Sequence, residues 1–254
     1  MTNILAIVKK EWRGYFASPI GYVVMGMYAL VFGLFYAVGL YFFLQQSMAG
    51  PQMGGGPLNV NQMLIRYVFQ NSSIVMVFVV PLITMRTYAE EKRLGTVELL
   101  MTSPITDFQI LAGKFLGAMS LYAAMLGMTV IHIGLLFFYG NPEWKPILTG
   151  YLGLLLLGGC IVSIGLFFSS LTKNQIVAGM FTFAVLLLLW VIDWVGSFGG
   201  PYLERLTTYL SLTGHVEDFL RGVVDSQHIV YYLSFITFGL FLTAKAVDSE
   251  RWRG

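Results

Sequence analysis

Charge is what this chain has least of. Asp, Glu, Lys and Arg make up 11% of its 254 residues, hydrophobic types make up 57%, and the mean hydropathy is +0.73. Soluble domains carry about 25% charged residues, so a soluble globular fold is excluded. Cysteine is nearly absent too. Cys160 stands alone, which rules out an intrachain disulfide, and its apolar surroundings mark it as a small core residue. No GxxxxGK[ST] occurs, since Gly113–Lys114 runs on into Phe115, so the chain has no phosphate-binding loop of that kind. HExxH and GxSxG are also missing. Ser170–Lys173 matches S-x-x-K without its companion motifs and reads as a polar loop. The three histidines, His132, His215 and His228, stand far apart without ligand spacing. No catalytic residue and no cofactor bound by this chain are expected. A membrane-embedded enzyme therefore lacks its nucleophile, base or metal pair.

Long apolar runs take the place of these features. Tyr151–Phe168 (YLGLLLLGGCIVSIGLFF) has no charge and no dyad alternation. A β-barrel needs that alternation, whereas about 20 apolar residues cross a bilayer as a helix. Six spans are predicted, at about 21–44, 67–85, 115–139, 147–168, 176–195 and 229–246, in one domain covering 1–254. Pro81 lies within the second span and is expected to kink it. The class is all-α and integral to a membrane. Ahead of the spans, Ile4, Val8, Trp12, Tyr15 and Phe16 share one helical face, opposite Lys9, Lys10 and Arg13. Residues 1–20 thus read as an amphipathic helix in the interface, with Pro19 turning the chain into span one. A signal peptide is the rival, but the apolar run that follows is too long for one.

Six spans put both termini on one side. Assigning 1–20, 86–114, 169–175 and 245–254 to the cytoplasm gathers 11 of the 15 basic residues there, leaving Arg66, Lys145, Arg205 and Arg221 outside. Positive charge concentrates on the cytoplasmic side, which predicts cytoplasmic termini. On the outer side, Gln45–Gln62 reads as a flexible uncharged loop. Two short apolar-periodic stretches, GPYLERLTTYLSL and GHVEDFLRGVV, read as interfacial or re-entrant helices between spans five and six. Leu203, Leu206, Leu210, Phe219 and Val223 are the expected membrane contacts. His132 lies inside span three, where a polar group is either functional or hydrogen-bonded between helices. Asp193 sits near the outer end of span five. No set of deep carboxylates marks a proton relay.

The scarce charge is concentrated at MRTYAEEKRLGTVELLMTSPIT, residues 85–106. Glu90, Glu91, Lys92 and Arg93 continue span two beyond the membrane. Gly95 is placed to end that helix in a left-handed conformation. Thr96 is placed to cap a short helix carrying Glu98, Leu99, Leu100 and Met101. Ser103–Pro104 stops it, and Thr106-x-x-Gln109 starts the next helix with a capping box. The apolar residues of the middle helix pack either on the chain's own helices or in the groove of a partner. Gly113-x-x-x-Gly117 offers a close helix contact.

The stretch Thr87–Ala118 resembles the first cytoplasmic loop of ABC-2 type transporter permeases. It shares their E-E-K/R-x-x-G-T-x-E-x-L-x-x-x-P pattern at Glu90, Glu91, Lys92, Gly95, Thr96, Glu98, Leu100 and Pro104, with Leu99 beside it, and their G-K at Gly113 and Lys114. The leading helix and the C-terminal segment are similar as well, nearest the branch that includes gliding-motility-associated permeases. The resemblance implies a permease subunit of an ATP-binding cassette transporter, an exporter in the bacterial inner membrane, paired with a second permease chain. It implies a cytoplasmic coupling helix docking on a separate ATPase subunit, which would hold the ATP and magnesium. The implied contacts are Glu90, Glu91, Arg93, Gly95, Thr96, Glu98, Leu99 and Leu100. A second, smaller contact falls in Ser169–Gln175, around Thr172 and Lys173. The competing reading is a membrane scaffold that anchors other proteins without transport, or an anchor for a partner ATPase.

Overall fold

The computed structural model describes residues 2–48, 59–97, 104–196, 198 and 200–251. Among these there is no strand. The chain forms α1 (Thr2–Ala17), α2 (Pro19–Met48), a π-helical turn (Asn61–Ile65) running into α3 (Arg66–Thr84), and α4 (Ala89–Leu94). It continues with α5 (Asp107–Tyr139), α6 (Trp144–Leu171), α7 (Gln175–Gly196), α8 (Pro201–Leu210), α9 (Val216–Leu220) and α10 (Ser226–Arg251). Six of these helical stretches are long and apolar enough to cross a membrane, built on α2, α3, α5, α6, α7 and α10. They match the six expected spans, and most are longer than the apolar runs that announced them. The overhang is amphipathic; α5 begins at Asp107, eight residues before its expected start.

α6 is the centre of the bundle. Of its most apolar window 72% is buried, against 17% for α7 and 22% for α2 and α10. It packs on α3, α5, α7, α9 and α10, and α2 and α7 leave broad apolar faces outward. Several buried polar groups between the spans are paired, as a bilayer core demands. Tyr28 Oη lies 2.8 Å from Ser72 Oγ. Tyr122 donates to the Leu154 carbonyl at 2.6 Å, and Thr129 Oγ1 lies 2.8 Å from Tyr151 Oη. His132 differs. Its ring meets Phe32 and Tyr36 edge-on at 5.5 and 5.4 Å, and its Nδ1 is buried with no hydrogen-bond partner. Cys160 is fully buried, with its thiol 3.5 Å from the Tyr232 carbonyl, as a core residue should be. The helix runs on through Pro81 to Thr84.

The start of α1, residues 85–97, the start of α5, the α6–α7 turn and the end of α10 lie at one end of the bundle. The α5–α6 turn and residues 200–225 lie at the other. At this far end Asn61 pins the start of α3 to the α5–α6 turn. Its amide donates to the Glu143 carbonyl at 2.7 Å and accepts from the Glu143 amide at 2.9 Å. Two expectations change here. The second outer helix is only five residues long, and its Phe219 is fully buried, with its Cβ where a side chain on Gly153 would lie. Phe219 is therefore a contact with α6 and not with lipid, because Gly153 leaves room for its ring. Leu210 and Val223 are exposed. The side chains of Leu203, Leu206 and Asp193, and most of the Gln45–Gln62 loop, lie outside the described residues.

Candidate partner-coupling site

At the end carrying the termini, α1 lies along the first turns of α5. The contact is made possible by Gly113 and Gly117. A Cβ on Gly113 would come 2.7 Å from Ile7 Cβ, and one on Gly117 would come 2.9 Å from Glu11 Cβ. The GxxxG motif is thus the seat of the N-terminal helix. The buried edge of α1 holds Ile7 and Tyr15, with Ile4, Val8, Trp12 and Phe16 half-buried around it. Lys9, Lys10 and Arg13 are exposed. Polar ties fix the register. Trp12 donates to Ser120 Oγ, and Asn3 Nδ2 donates to Gln109 Oε1 at 3.2 Å. Thr106 caps α5 as expected, accepting from the Gln109 amide at 3.3 Å. The Gln109 side chain is turned to Asn3 of α1, so the bond shown at this cap is the one Thr106 accepts.

Lys114 is the hub of this end. Its side chain is 1% exposed, and its ammonium has three donors. They are matched by Glu91 Oε2 at 2.8 Å, Glu11 Oε1 at 3.1 Å and the Thr87 carbonyl at 2.7 Å. The Tyr88 ring lies beneath it, 4.7 Å from nitrogen to centroid. Glu91 turns its other oxygen to Lys10 at 2.5 Å. Two lysines and two glutamates make the cluster neutral, which a buried ion group requires. Burial pushes the Glu91 carboxyl up, but Lys114 and Lys10 outweigh it and hold it below its ordinary range.

α4 is tied just as closely to α6. A turn at residues 85–88 separates it from α3, so the expected continuous extension of span two is broken. Ser169, near the end of α6, accepts from the Tyr88 and Ala89 amides at 3.0 and 3.1 Å and donates to the Met85 carbonyl at 2.9 Å. It supplies the N-terminal cap that α4 lacks in its own sequence. Buried Lys92 donates to the Ser170 carbonyl. Arg86 bonds Glu90 at 2.9 Å and Ser18 at 2.9 Å, joining the turn to the α1–α2 corner. Gly95 closes α4 in the left-handed conformation, φ 72°, as its position predicted. The Thr96 hydroxyl donates to the Glu91 carbonyl at 3.3 Å.

The expected contact residues therefore divide. Arg93 and Gly95 are exposed, next to an exposed Leu94, and Thr96 is half-buried. Glu90 is partly covered, and Glu91 is engaged inside the molecule. Glu98, Leu99, Leu100 and Met101 lie outside the described residues. In the second stretch Ser169 and Ser170 are buried, while Leu171, Lys173 and Asn174 are exposed. Neither Lys114 as a hub nor Ser169 as a cap was singled out from sequence; the G-K motif was the one available signal. Among the described residues no group of His, Cys, Asp and Glu is placed to hold a metal.

A polytopic helical membrane protein with a tightly anchored loop at its terminal end is the class this architecture defines. A family model described as ABC-2 family transporter protein matches residues 5–221, and the chain belongs to that family. No curated protein matches the chain.

Proposed function

We propose that this membrane component of an ABC transporter takes its energy from a separate ATP-binding cassette subunit, received at residues 86–106. Membership in the ABC-2 family supports a permease subunit. The observation that carries the coupling is the Lys114 cluster. It joins α1, the 85–97 segment and α5 through buried charge, while Ser169 joins the same segment to α6. A push on this segment reaches the spans without slack. Arg93, Leu94 and Gly95 form an exposed edge offered to the partner, half-buried Thr96 adjoins it, and Glu98, Leu99, Leu100 and exposed Lys173 are the further contacts of this reading. Glu90 and Glu91 position this edge. The ATPase holds the ATP and magnesium. The distribution of basic residues supports cytoplasmic termini, and the broad outward faces of α2 and α7 support pairing with a second permease chain. Export from the cytoplasm of a bacterial cell is the transport direction we infer.

The test is co-purification from native membranes with a chain containing GxxxxGK[ST]. Glu98→Ala combined with Leu99→Asp is expected to abolish the association while leaving the permease folded. Undiminished association would overturn docking at this segment, and no such partner at all would move the chain to the scaffold reading.

A further inference from the structure

His215 and His228, thirteen positions apart, meet at the far end of the bundle with their Nδ1 atoms 2.7 Å apart. His215 Nε2 lies 3.0 Å from the Tyr209 carbonyl, and His228 Nε2 lies 2.8 Å from Asp218 Oδ2. The result is one unbroken line from α8 through the α8–α9 connection to α10 and back to α9. A shared metal ion does not explain it. Two nitrogens on one tetrahedral zinc, at ~2.0–2.1 Å each, stand about 3.3 Å apart, and Asp218 meets the other ring nitrogen of His228, Nε2, away from the paired Nδ1 atoms.

Donor and acceptor counting fixes how many protons the line holds. A carbonyl only accepts, so His215 Nε2 carries a hydrogen. One hydrogen must lie between the two Nδ1 atoms, and one between His228 Nε2 and Asp218. Three contacts therefore require three protons on the three side chains, wherever each one sits. Two neutral imidazoles and a carboxylate supply only two. We propose that His215, His228 and Asp218 form a one-proton latch that ties the α8–α9 segment to α10 in a single protonation state. This goes beyond the family reading and does not rest on it.

Loss of the shared proton leaves a ring lone pair facing a carboxylate oxygen or a second lone pair. A fourth proton on the imidazoles puts hydrogens on both Nδ1 atoms, face to face. The latch opens in both cases. Its surroundings reinforce this. Tyr231 stacks on His215 at 3.9 Å, and burial pushes the His215 imidazole below its ordinary value of 6.5, opposed by the Tyr209 carbonyl. From α9, Glu217 is committed to Arg66 on α3 and to Arg221. From α10, Tyr231 and Tyr232 donate to the Leu210 and Leu212 carbonyls, and Cys160 on α6 lies behind Tyr232. Asp225 is used at the start of α10, on the Gln227 amide. The Asp218 side chain is 43% exposed, so protons reach the latch from the water at this end.

Hydrogen exchange of the full chain in lipid nanodiscs, read by mass spectrometry from about pH 5 to 9 and corrected for intrinsic rates, tests the latch. Protection of residues 209–222 should pass through a maximum and fall about tenfold toward each end, the change one titration unit produces. Asp218→Asn supplies an amide donor to His228 Nε2, so its latch closes with neutral rings. It should lose the alkaline fall and keep the acid one. His215→Phe, which keeps the stack on Tyr231, should give low and flat protection. Flat protection in the unmodified chain, an unchanged profile in Asp218→Asn, or an equal change in the α6 peptides would overturn the proposal.

Discussion

The Lys114 ammonium lies 2.8 Å from Glu91 Oε2, and this contact joins the base of α5 to the α4 helix 23 positions earlier in the chain. Through the same nitrogen Glu11 of α1 is held at 3.1 Å. Three separate pieces of chain thus meet on one buried cation. Removing one partner of such a group leaves uncompensated charge in the interior. Lys114→Met is therefore expected to cost about 3–5 kcal/mol. Thermal unfolding in detergent measures this. In a double-mutant cycle with Glu91→Gln, the pair should cost less than the sum of the singles; strict additivity would show that the contact carries no coupling.

Gly113 seats α1 because nothing larger fits. Gly113→Leu should displace α1 from α5, exposing the linker around Ser18 to limited proteolysis. Gly127, on the same helix, has open space around its Cβ position. Gly127→Ala should leave the proteolysis pattern unchanged and cost no stability, gaining up to about 1 kcal/mol from the helix-forming side chain.

Ser169 caps a helix to which it does not belong. Ser169→Ala removes the acceptor of the Tyr88 and Ala89 amides. The loss should be about 0.5–2 kcal/mol, as for other cap deletions. Local hydrogen exchange at residues 88–94 should quicken, while the α3 core keeps its protection.

Acid should loosen this end. Glu91 titrates below its ordinary 4.5 in the folded chain, held there by Lys114 and Lys10 against the upward pull of burial. A depressed carboxylate contributes stability that is complete above 4.5 and is lost as pH falls through the folded value. The midpoint of thermal unfolding should drop over that acid range. Glu91→Gln should flatten this part of the profile.

The spans were legible because apolar runs of 18 or more residues have one solution in a bilayer. The Gly95 break and the Thr106 cap were legible because each is set by neighbours within a few positions. The hub was not. Lys114 next to Gly113 resembles an ordinary interfacial lysine until Glu11 and Glu91 arrive from elsewhere in the chain. His215 and His228 were read as unrelated because their pairing depends on the fold of α9, whose five residues show too little period to place Phe219 or Asp218. The ends of the helices were underestimated for a similar reason. Hydropathy stops at the hydrocarbon edge, but helix-forming residues such as Asp107–Lys114 continue beyond it to receive α1.

The central claim is that the edge at Arg93–Thr96 receives the ATPase. Its most direct measurement is the affinity between the permease in nanodiscs and the ATPase that co-purifies with it, comparing the unmodified chain with Arg93→Glu/Leu94→Asp. Both side chains are exposed and bear no bond of the Lys114 cluster, so the variant should fold normally. The account predicts at least a tenfold loss of affinity, about 1.4 kcal/mol, with unchanged thermal unfolding of the permease. Equal affinity of the two chains, with the ATPase fully bound, would contradict it.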